Sequence, residues 1–120
     1  MELQVKHLKS NEIRVGNNVL FNKEIIKLDG SLFAMYLENR LGMPFYPIPL
    51  TEEWLIKLGF KKNNYWFKDD NMLRFGLIDN QLHCSIGNDE SGFLYNRINY
   101  VHQLQNLYFA LTGEELEFKQ

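Results

Sequence analysis

The stretch INYVHQLQNLYFALTG, residues 98–113, carries the apolar periodicity of a single amphipathic helix. Its apolar residues recur at spacings of three and four and are Val101, Leu104, Tyr108 and Leu111, with Tyr100 and Leu107 widening the same face. Gly113 follows the last periodic residue, where a glycine commonly ends a helix in a left-handed conformation. The spacing therefore predicts a helix over residues 98–113, with Glu114 and Glu115 beyond its end.

The same stretch contains no Asp, Glu, Lys or Arg, although charged residues make up 23% of the chain. The face opposite the apolar stripe is formed by His102, Gln105, Asn106 and Phe109. A helix with one face in solvent normally carries charge there, so we expect this helix to be covered over much of its circumference. In one alternative the domain encloses the helix, and its amides bond to neighbouring loops. In the other, this face binds a protein partner or a second copy of the chain, since interfaces are depleted in charge.

Length and composition indicate one globular domain over residues 1–120. A net charge of −2 argues against a surface that binds nucleic acid throughout, because phosphate contacts need a cationic excess. The single cysteine, Cys84, excludes an internal disulfide and fits a reducing compartment. No segment has the pattern of a signal peptide or approaches the ~20 apolar residues of a membrane helix. We therefore expect a cytoplasmic protein without membrane contact.

The N-terminal part has short β-branched runs at 13–15, 19–21 and 25–28, separated by Gly and Asn turns, which predicts a small meander. Ser31 is a candidate cap for a helix that Gly42 ends. Three prolines, Pro44, Pro47 and Pro49, then require an extended connector. This connector is the candidate boundary between sub-lobes 1–43 and 50–120.

The next segment, TEEWLIKLGF, has the pattern of a short helix with Thr51 as N-cap and Gly59 just past the end. Phe60 is placed to fold back on Leu55, as in a Schellman motif. Alternating apolar runs at 65–67, 73–78 and 82–86 predict a three-stranded antiparallel meander, followed by a strand at 93–97 and a last short strand at Leu116 and Phe118. The chain is thus predicted to be α+β: a β-rich N-terminal lobe, a Pro-rich connector, a helix, an antiparallel meander and a C-terminal helix packed on the sheet.

Three motifs carry a resemblance to known proteins: IRVGNNV (13–19), PIPLTEEWLIKLGF (47–60) and INYVHQLQNLYFALTGEELEF (98–118). The chain resembles a family of small uncharacterised proteins common in Bacteroidetes genomes, prophages and phages. The motifs anchor the start, middle and end of the chain, whereas residues 61–97 resemble the family only in being strand-like. The resemblance implies a phage or mobile-element origin and a bacterial host cytoplasm, but no activity and no catalytic residues.

Residue types with catalytic or metal-binding chemistry are scattered. The soft or borderline metal ligands are His7, His83, Cys84 and His102, and no pair has the spacing of a zinc site. Acidic pairs occur at turns and helix ends: Glu52-Glu53, Asp69-Asp70, Asp89-Glu90 and Glu114-Glu115. Turn chemistry and helix dipoles explain these pairs, although a metal-dependent hydrolase built on them is an alternative. We expect no metal, no cofactor and no enzymatic activity.

A basic and aromatic patch is predicted from Lys57, Lys61, Lys62, Tyr65, Trp66, Lys68 and Arg74. Lysines among aromatic residues on an antiparallel sheet are typical of surfaces that bind single-stranded nucleic acid. The unfavourable net charge makes this reading secondary. The sequence favours a non-enzymatic protein-interaction module that binds a protein partner or itself, and the alternative is a binder of nucleotides or single-stranded nucleic acid.

Overall fold

The structure, a computed structural model, describes residues 7–62, 66–68, 73–78, 81–86 and 98–117. Their helices are α1 (Gly30–Leu37), α2 (Glu52–Lys57) and α3 (Val101–Thr112), and a 3-10 turn spans Ser10–Glu12. The strands are β1 (Asn18–Phe21), β2 (Glu24–Lys27), β3 (Lys61–Lys62), β4 (Trp66–Phe67), β5 (Leu73–Ile78) and β6 (Gln81–Ile86). They form a two-stranded sheet, β1-β2, and a four-stranded sheet in the order β3-β4-β5-β6, both antiparallel. The predicted α+β class is confirmed.

The N-terminal sheet is a hairpin and lacks the predicted first strand at 13–15. Asn17 closes a turn there instead: its Oδ1 accepts from the N–H of Arg14 at 2.8 Å, and its own N–H donates to the Arg14 carbonyl at 3.0 Å. An Asn side chain that bonds to nearby backbone competes with strand pairing in this way. At the hairpin tip, Asn22 and Lys23 have φ of 52° and 66°, the type I′ geometry whose twist suits a two-residue turn.

Helix α1 begins and ends earlier than predicted. Its N-cap is Asp29, whose Oδ1 accepts from the N–H of Leu32 at 2.7 Å, so Ser31 lies inside the first turn and caps nothing. The prediction took Asp29 for a turn residue, and Asp serves equally well in both roles. At the other end Asn39, with φ of 58°, reverses the chain before Gly42 is reached.

The proline-containing connector is extended, as predicted, and contacts both halves of the chain. Tyr46 exchanges two backbone hydrogen bonds of 2.9 Å with Leu20 of β1. Pro49 forms an antiparallel bridge with Tyr100, immediately before α3. The connector therefore runs between β1 and the start of α3.

The predicted ends of α2 are confirmed. Thr51 Oγ1 accepts from the N–H of Trp54 at 3.2 Å. Gly59 has φ of 94°, and the N–H of Phe60 donates to the carbonyl of Leu55 at 2.9 Å, which is the long bond of a Schellman motif. Phe60 is buried, so this end directs the following chain into the second sheet.

The second sheet contains one strand more than predicted, because β3 pairs with β4 through two exposed lysines that carry no apolar signal. The long hairpin is confirmed: β5 and β6 pair from Leu73 opposite Ile86 to Ile78 opposite Gln81. Leu116 is buried but belongs to no strand, contrary to the prediction of a last strand there. The predicted strand at 93–97 and residue 118 lie outside the described residues.

The buried apolar side chains of the described residues form two clusters. The N-terminal cluster comprises Leu8, Ile13, Val19, Leu28 and Phe45. The C-terminal cluster comprises Ile48, Trp54, Leu55, Leu58, Phe60, Trp66, Phe75, Val101, Leu104, Tyr108 and Leu116. The second cluster joins α2 and α3 to the four-stranded sheet, and the chain passes from one cluster to the other within the connector. The predicted division into sub-lobes stays a prediction.

None of the helices within the described ranges combines the length and apolar character that crossing a bilayer requires.

Candidate functional site

Helix α3 starts three residues later than predicted, because the residues before it pair with the connector. The carbonyl of Asn99 accepts from the N–H of Leu50 at 2.9 Å, and Tyr100 pairs with Pro49. Its predicted end is confirmed, since Gly113 adopts a left-handed φ of 75°. The connector therefore determines where α3 begins, and Gly113 determines where it ends.

Gln105 connects α3 to β1 through a buried set of hydrogen bonds. Its Oε1 accepts from the backbone N–H of Asn18 at 2.7 Å. Its Nε2 donates to Asn18 Oδ1 at 2.8 Å and to the carbonyl of Leu116 at 2.9 Å. Gln105 is 1% exposed, so these bonds supply its amide with the partners that water would otherwise provide.

The neighbouring pair of residues, Asn17 and Asn106, makes a similar contact. Asn17 Nδ2 donates to Asn106 Oδ1 at 2.7 Å. We call the contact of Asn17 and Asn18 with Gln105 and Asn106 the amide seam. The seam joins the N-terminal hairpin to α3 without a charged group.

Arg14 closes the outer end of the amide seam. Its guanidinium forms a bidentate ion pair with Glu115, at 2.7 and 2.9 Å, and lies 4.2 Å from the centre of the Phe109 ring. The hydrogen bonds from Arg14 lower the pKa of the Glu115 carboxyl. Phe109 is 38% exposed and is covered on one face by Arg14.

The four residues predicted on the second face of α3 therefore meet the rest of the chain. His102 and Gln105 are buried, Asn106 is half-buried and Phe109 is partly exposed. This arrangement corresponds to the enclosed-helix alternative for His102 and Gln105. Whether the face also contributes to binding stays a prediction.

The remaining side of α3 faces solvent. One residue that was predicted to belong to the apolar stripe lies there. Leu111 was placed on the buried face but is 44% exposed. Leu107 is half-buried at the margin of the C-terminal cluster, and Ala110 is exposed. The stripe is narrower than predicted, because beyond the first turn only Leu104 and Tyr108 are buried in the C-terminal cluster.

His102 is a buried titratable group at the start of α3. It is 2% exposed, its ring is stacked on Tyr100 at a centroid distance of 5.9 Å, and its Nδ1 has no hydrogen-bond partner among the described residues. Burial lowers the pKa of His102 below 6.5, and the carboxylate of Glu12 opposes this shift only in part. The folded chain therefore holds His102 in its neutral form.

We expect acidification to destabilise the protein through His102. The unfolded chain takes up a proton near pH 6.5 while the folded chain resists it, so stability present above that pH is lost as the pH falls toward the folded pKa. The loss cannot exceed about 1.4 kcal/mol per pH unit for one group. Urea unfolding at pH 7.5 and 5.5 should show the loss in the wild type and a smaller loss in His102→Phe, which keeps the ring contact with Tyr100. An equal loss in both proteins would contradict the assignment.

The predicted basic and aromatic patch is only partly assembled. Trp66 is buried, and Lys62 lies over its ring at 5.7 Å while facing Glu52 at 3.7 Å. Lys57 lies over the Trp54 ring at 5.3 Å and faces Glu53 at 3.7 Å. The two tryptophan rings therefore offer no open face for base stacking.

A second row, on the other face of the same sheet, brings two members of the predicted patch to either side of Phe67. Phe67 stands opposite Lys61 on β3 and opposite Arg74 on β5, and residues opposite one another share a face. Lys61 is exposed, and the other two are half-buried. Lys68 places its Nζ against Gly59, and Tyr65 lies outside the described residues.

The acidic pairs that are described serve structural contacts. Glu52 and Glu53 face lysines, and Glu115 binds Arg14. Within the described ranges no three His, Cys, Asp or Glu side chains cluster closely enough to hold a metal ion. Asp69-Asp70 and Asp89-Glu90 lie outside those ranges.

Helix α1 is the most apolar surface element that the structure describes. Its sequence, GSLFAMYL, contains six consecutive apolar residues and no charge, yet none of its residues is fully buried. Phe33 and Tyr36 pack against the N-terminal cluster, whereas Leu37 is 55% exposed. A helix that is apolar all round is normally enclosed by other elements, so α1 presents unusual apolar surface.

A cleft of about 450 Å³ lies beside α1. Its apolar walls are Leu37, Leu41, Met43 and Pro44, and Met43 is 45% exposed. The basic residues His7 and Lys9 also line it. The volume is in the range of ligand sites, which span about 300–1,000 Å³.

Tyr36 holds the two sides of this cleft together. Its hydroxyl donates to the carbonyl of Leu8 and accepts from the N–H of Phe45 at 3.4 Å. The N–H of Leu8 in turn donates to the carbonyl of Phe45 at 2.8 Å, and the Tyr36 ring lies 4.2 Å from that of Phe45. The floor of the cleft is therefore tied to the N-terminal cluster and is preformed.

Sequence reasoning did not identify α1 and the cleft as a candidate site. It placed Leu32, Met35 and Tyr36, with Asn39 as a further candidate, on one side of the helix and gave Leu37 no role. The available signal was the continuous apolar run 32–37. Its side chains carry more apolar surface than one helix face can bury against a single small lobe. Helix α1, like α3, therefore has no charged residue, but none of its apolar side chains is fully buried.

No protein-family model, no curated protein and no solved structure matches this chain.

Proposed function

We propose that this chain is a non-enzymatic protein-interaction module, and that the outer face of α1 with the adjoining cleft is its contact surface. The observation that carries the proposal is an apolar, charge-free helix with no fully buried side chain. Exposed contiguous apolar surface of this kind is typical of interaction sites. Aromatic residues and methionine, which α1 and the cleft supply, are enriched in such sites.

The biological setting is part of the same proposal. The resemblance of segments 47–60 and 98–118 supports an accessory protein of a phage or mobile element. Several described acidic and basic side chains form ion pairs within the chain, such as Arg14 with Glu115. We therefore infer that the protein acts by binding a protein partner rather than by chemistry.

The substitution Leu37→Lys tests the contact surface. Leu37 is 55% exposed, so the change should alter stability by less than about 0.5 kcal/mol while placing a charge in the apolar contact. Ile56→Lys is the matched control, because Ile56 is 61% exposed on α2 and far along the chain from α1. Affinity capture from host cells with quantitative mass spectrometry should show partners that are lost with Leu37→Lys and kept with Ile56→Lys. Equal capture by all three proteins would contradict the proposed surface.

A second candidate function is favoured by the row of Lys61, Phe67 and Arg74. A half-buried aromatic ring between two cations on a sheet face suits a single-stranded nucleic acid. The net charge of −2 and the covered tryptophan rings weigh against it. Binding of a labelled single-stranded oligonucleotide that is abolished by Phe67→Ala would favour this candidate over the first.

A further inference from the structure

We propose that the cleft beside α1 receives a partner peptide in which one apolar side chain is flanked by carboxylates. The inference rests on the proposed function and specifies the chemistry of the partner. It depends on three properties of the cleft. The cleft has an apolar wall, its described lining includes basic residues and no Asp or Glu, and its floor is preformed.

The apolar wall accounts for the central side chain of the peptide. Leu37 and Met43, which line the cleft, are 55% and 45% exposed, and Leu41 and Pro44 also line it. A leucine-sized side chain placed there would remove apolar surface from water on both partners. Such burial is the main source of affinity in a small contact.

The basic side accounts for the flanking carboxylates. The basic side chains among the described lining residues are His7 and Lys9, and none of those lining residues is Asp or Glu. Two acids close to the lining residues have partners within the chain: Glu12 accepts from the backbone N–H of Lys9 at 2.9 Å, and Glu38 faces Arg40 at 3.1 Å. Lys9 forms no ion pair with any described residue and is exposed, so its ammonium group is available to an acidic ligand.

The preformed floor favours binding of a short segment. Because Tyr36 links Leu8 to Phe45, the two sides of the cleft need no rearrangement to accept a ligand. A site that is already ordered loses less conformational freedom on binding. This property makes a peptide probe a reasonable substitute for the whole partner.

The probe is acetyl-Glu-Glu-Leu-Glu-Glu-amide, titrated into the full chain labelled at the methionine methyl groups with carbon-13. Two control peptides replace either the four Glu by Lys or the Leu by Ser. We expect a saturable shift of the Met43 methyl signal with the acidic leucine peptide, and affinities weaker by about tenfold or more for both controls. Raising the salt concentration should weaken the acidic peptide selectively, because exposed ion pairs are screened.

Two variants complete the test. Lys9→Glu should weaken the acidic peptide by about tenfold and should not weaken the Lys peptide. Ile56→Lys, remote from the cleft, should leave both affinities unchanged. Equal binding of the Glu and Lys peptides, or an unchanged affinity in Lys9→Glu, would overturn the acidic chemistry. The proposed function fails separately, if Leu37→Lys retains every partner captured by the wild type.

Discussion

Replacing Gln105 with leucine is expected to lower the free energy of unfolding by about 3 kcal/mol or more, because it leaves three buried groups without partners and each costs about 1–3 kcal/mol. Three groups lose their partner: the N–H and the side-chain oxygen of Asn18, and the carbonyl of Leu116. Leucine has a similar volume, so the effect should come from hydrogen bonding and not from a cavity. Since typical domains have a total stability of about 5–15 kcal/mol, the loss is a large part of the whole.

Gln103→Leu is the matched control, two residues away on the same helix. Gln103 is exposed, and its Oε1 accepts from the N–H groups of Asn99 and Tyr100 at 3.1 and 3.2 Å. Loss of a capping contact of this kind should cost about 1 kcal/mol. Denaturant unfolding followed by tryptophan fluorescence measures both variants, and equal losses would mean that the amide seam contributes nothing beyond an ordinary surface contact.

Replacing Phe45 with alanine is expected to cost about 3–5 kcal/mol, as for other large-to-small changes of buried aromatic residues. Phe45 is 0% exposed, and its ring contacts Phe21 at 5.5 Å and Tyr36 at 4.2 Å. Because Phe45 belongs to the N-terminal cluster, hydrogen exchange should accelerate more at the amides of β1 than at those of α2.

Phe75→Ala is the matched control, because it makes the same change in the C-terminal cluster. Phe75 is also 0% exposed and meets Phe60 edge-on at 5.6 Å. Its replacement should accelerate exchange mainly in α2 and the second sheet. If either substitution accelerates exchange uniformly over the chain, the two clusters unfold as one unit and the predicted sub-lobes have no separate stability.

The features predicted correctly from sequence are those whose causes lie close together in the chain. Thr51, Gly59 and Phe60 specify both ends of α2 within ten residues, and Gly113 alone specifies the end of α3. Each of these signals acts through backbone conformation or a cap, so no distant partner is needed. The hairpin of β5 and β6 was predictable for the same reason.

The features missed depend on choices that sequence leaves open. Asp29 followed by glycine fits a turn as well as an N-cap. The strand at Lys61 exists only because β4 lies beside it. Periodicity also cannot state which apolar face stays uncovered, so the exposure of Leu37 required the positions of the surrounding elements. Asn18, which exchanges two hydrogen bonds with Gln105, is 87 residues away in sequence, and no local pattern identifies it.

The amide seam has a consequence for synthesis of the chain on the ribosome. The hairpin that carries Asn17 and Asn18 is local and can form soon after it emerges. Gln105 is translated 87 residues after its partner Asn18, and Asn106 is translated 89 residues after its partner Asn17. During that interval the groups of Asn17 and Asn18 that later bond to α3 have only water for partners. A nascent chain therefore forms the amide seam only after Gln105 and Asn106 have been synthesised. A chain interrupted before that point contains the folded hairpin without the contacts that join it to α3.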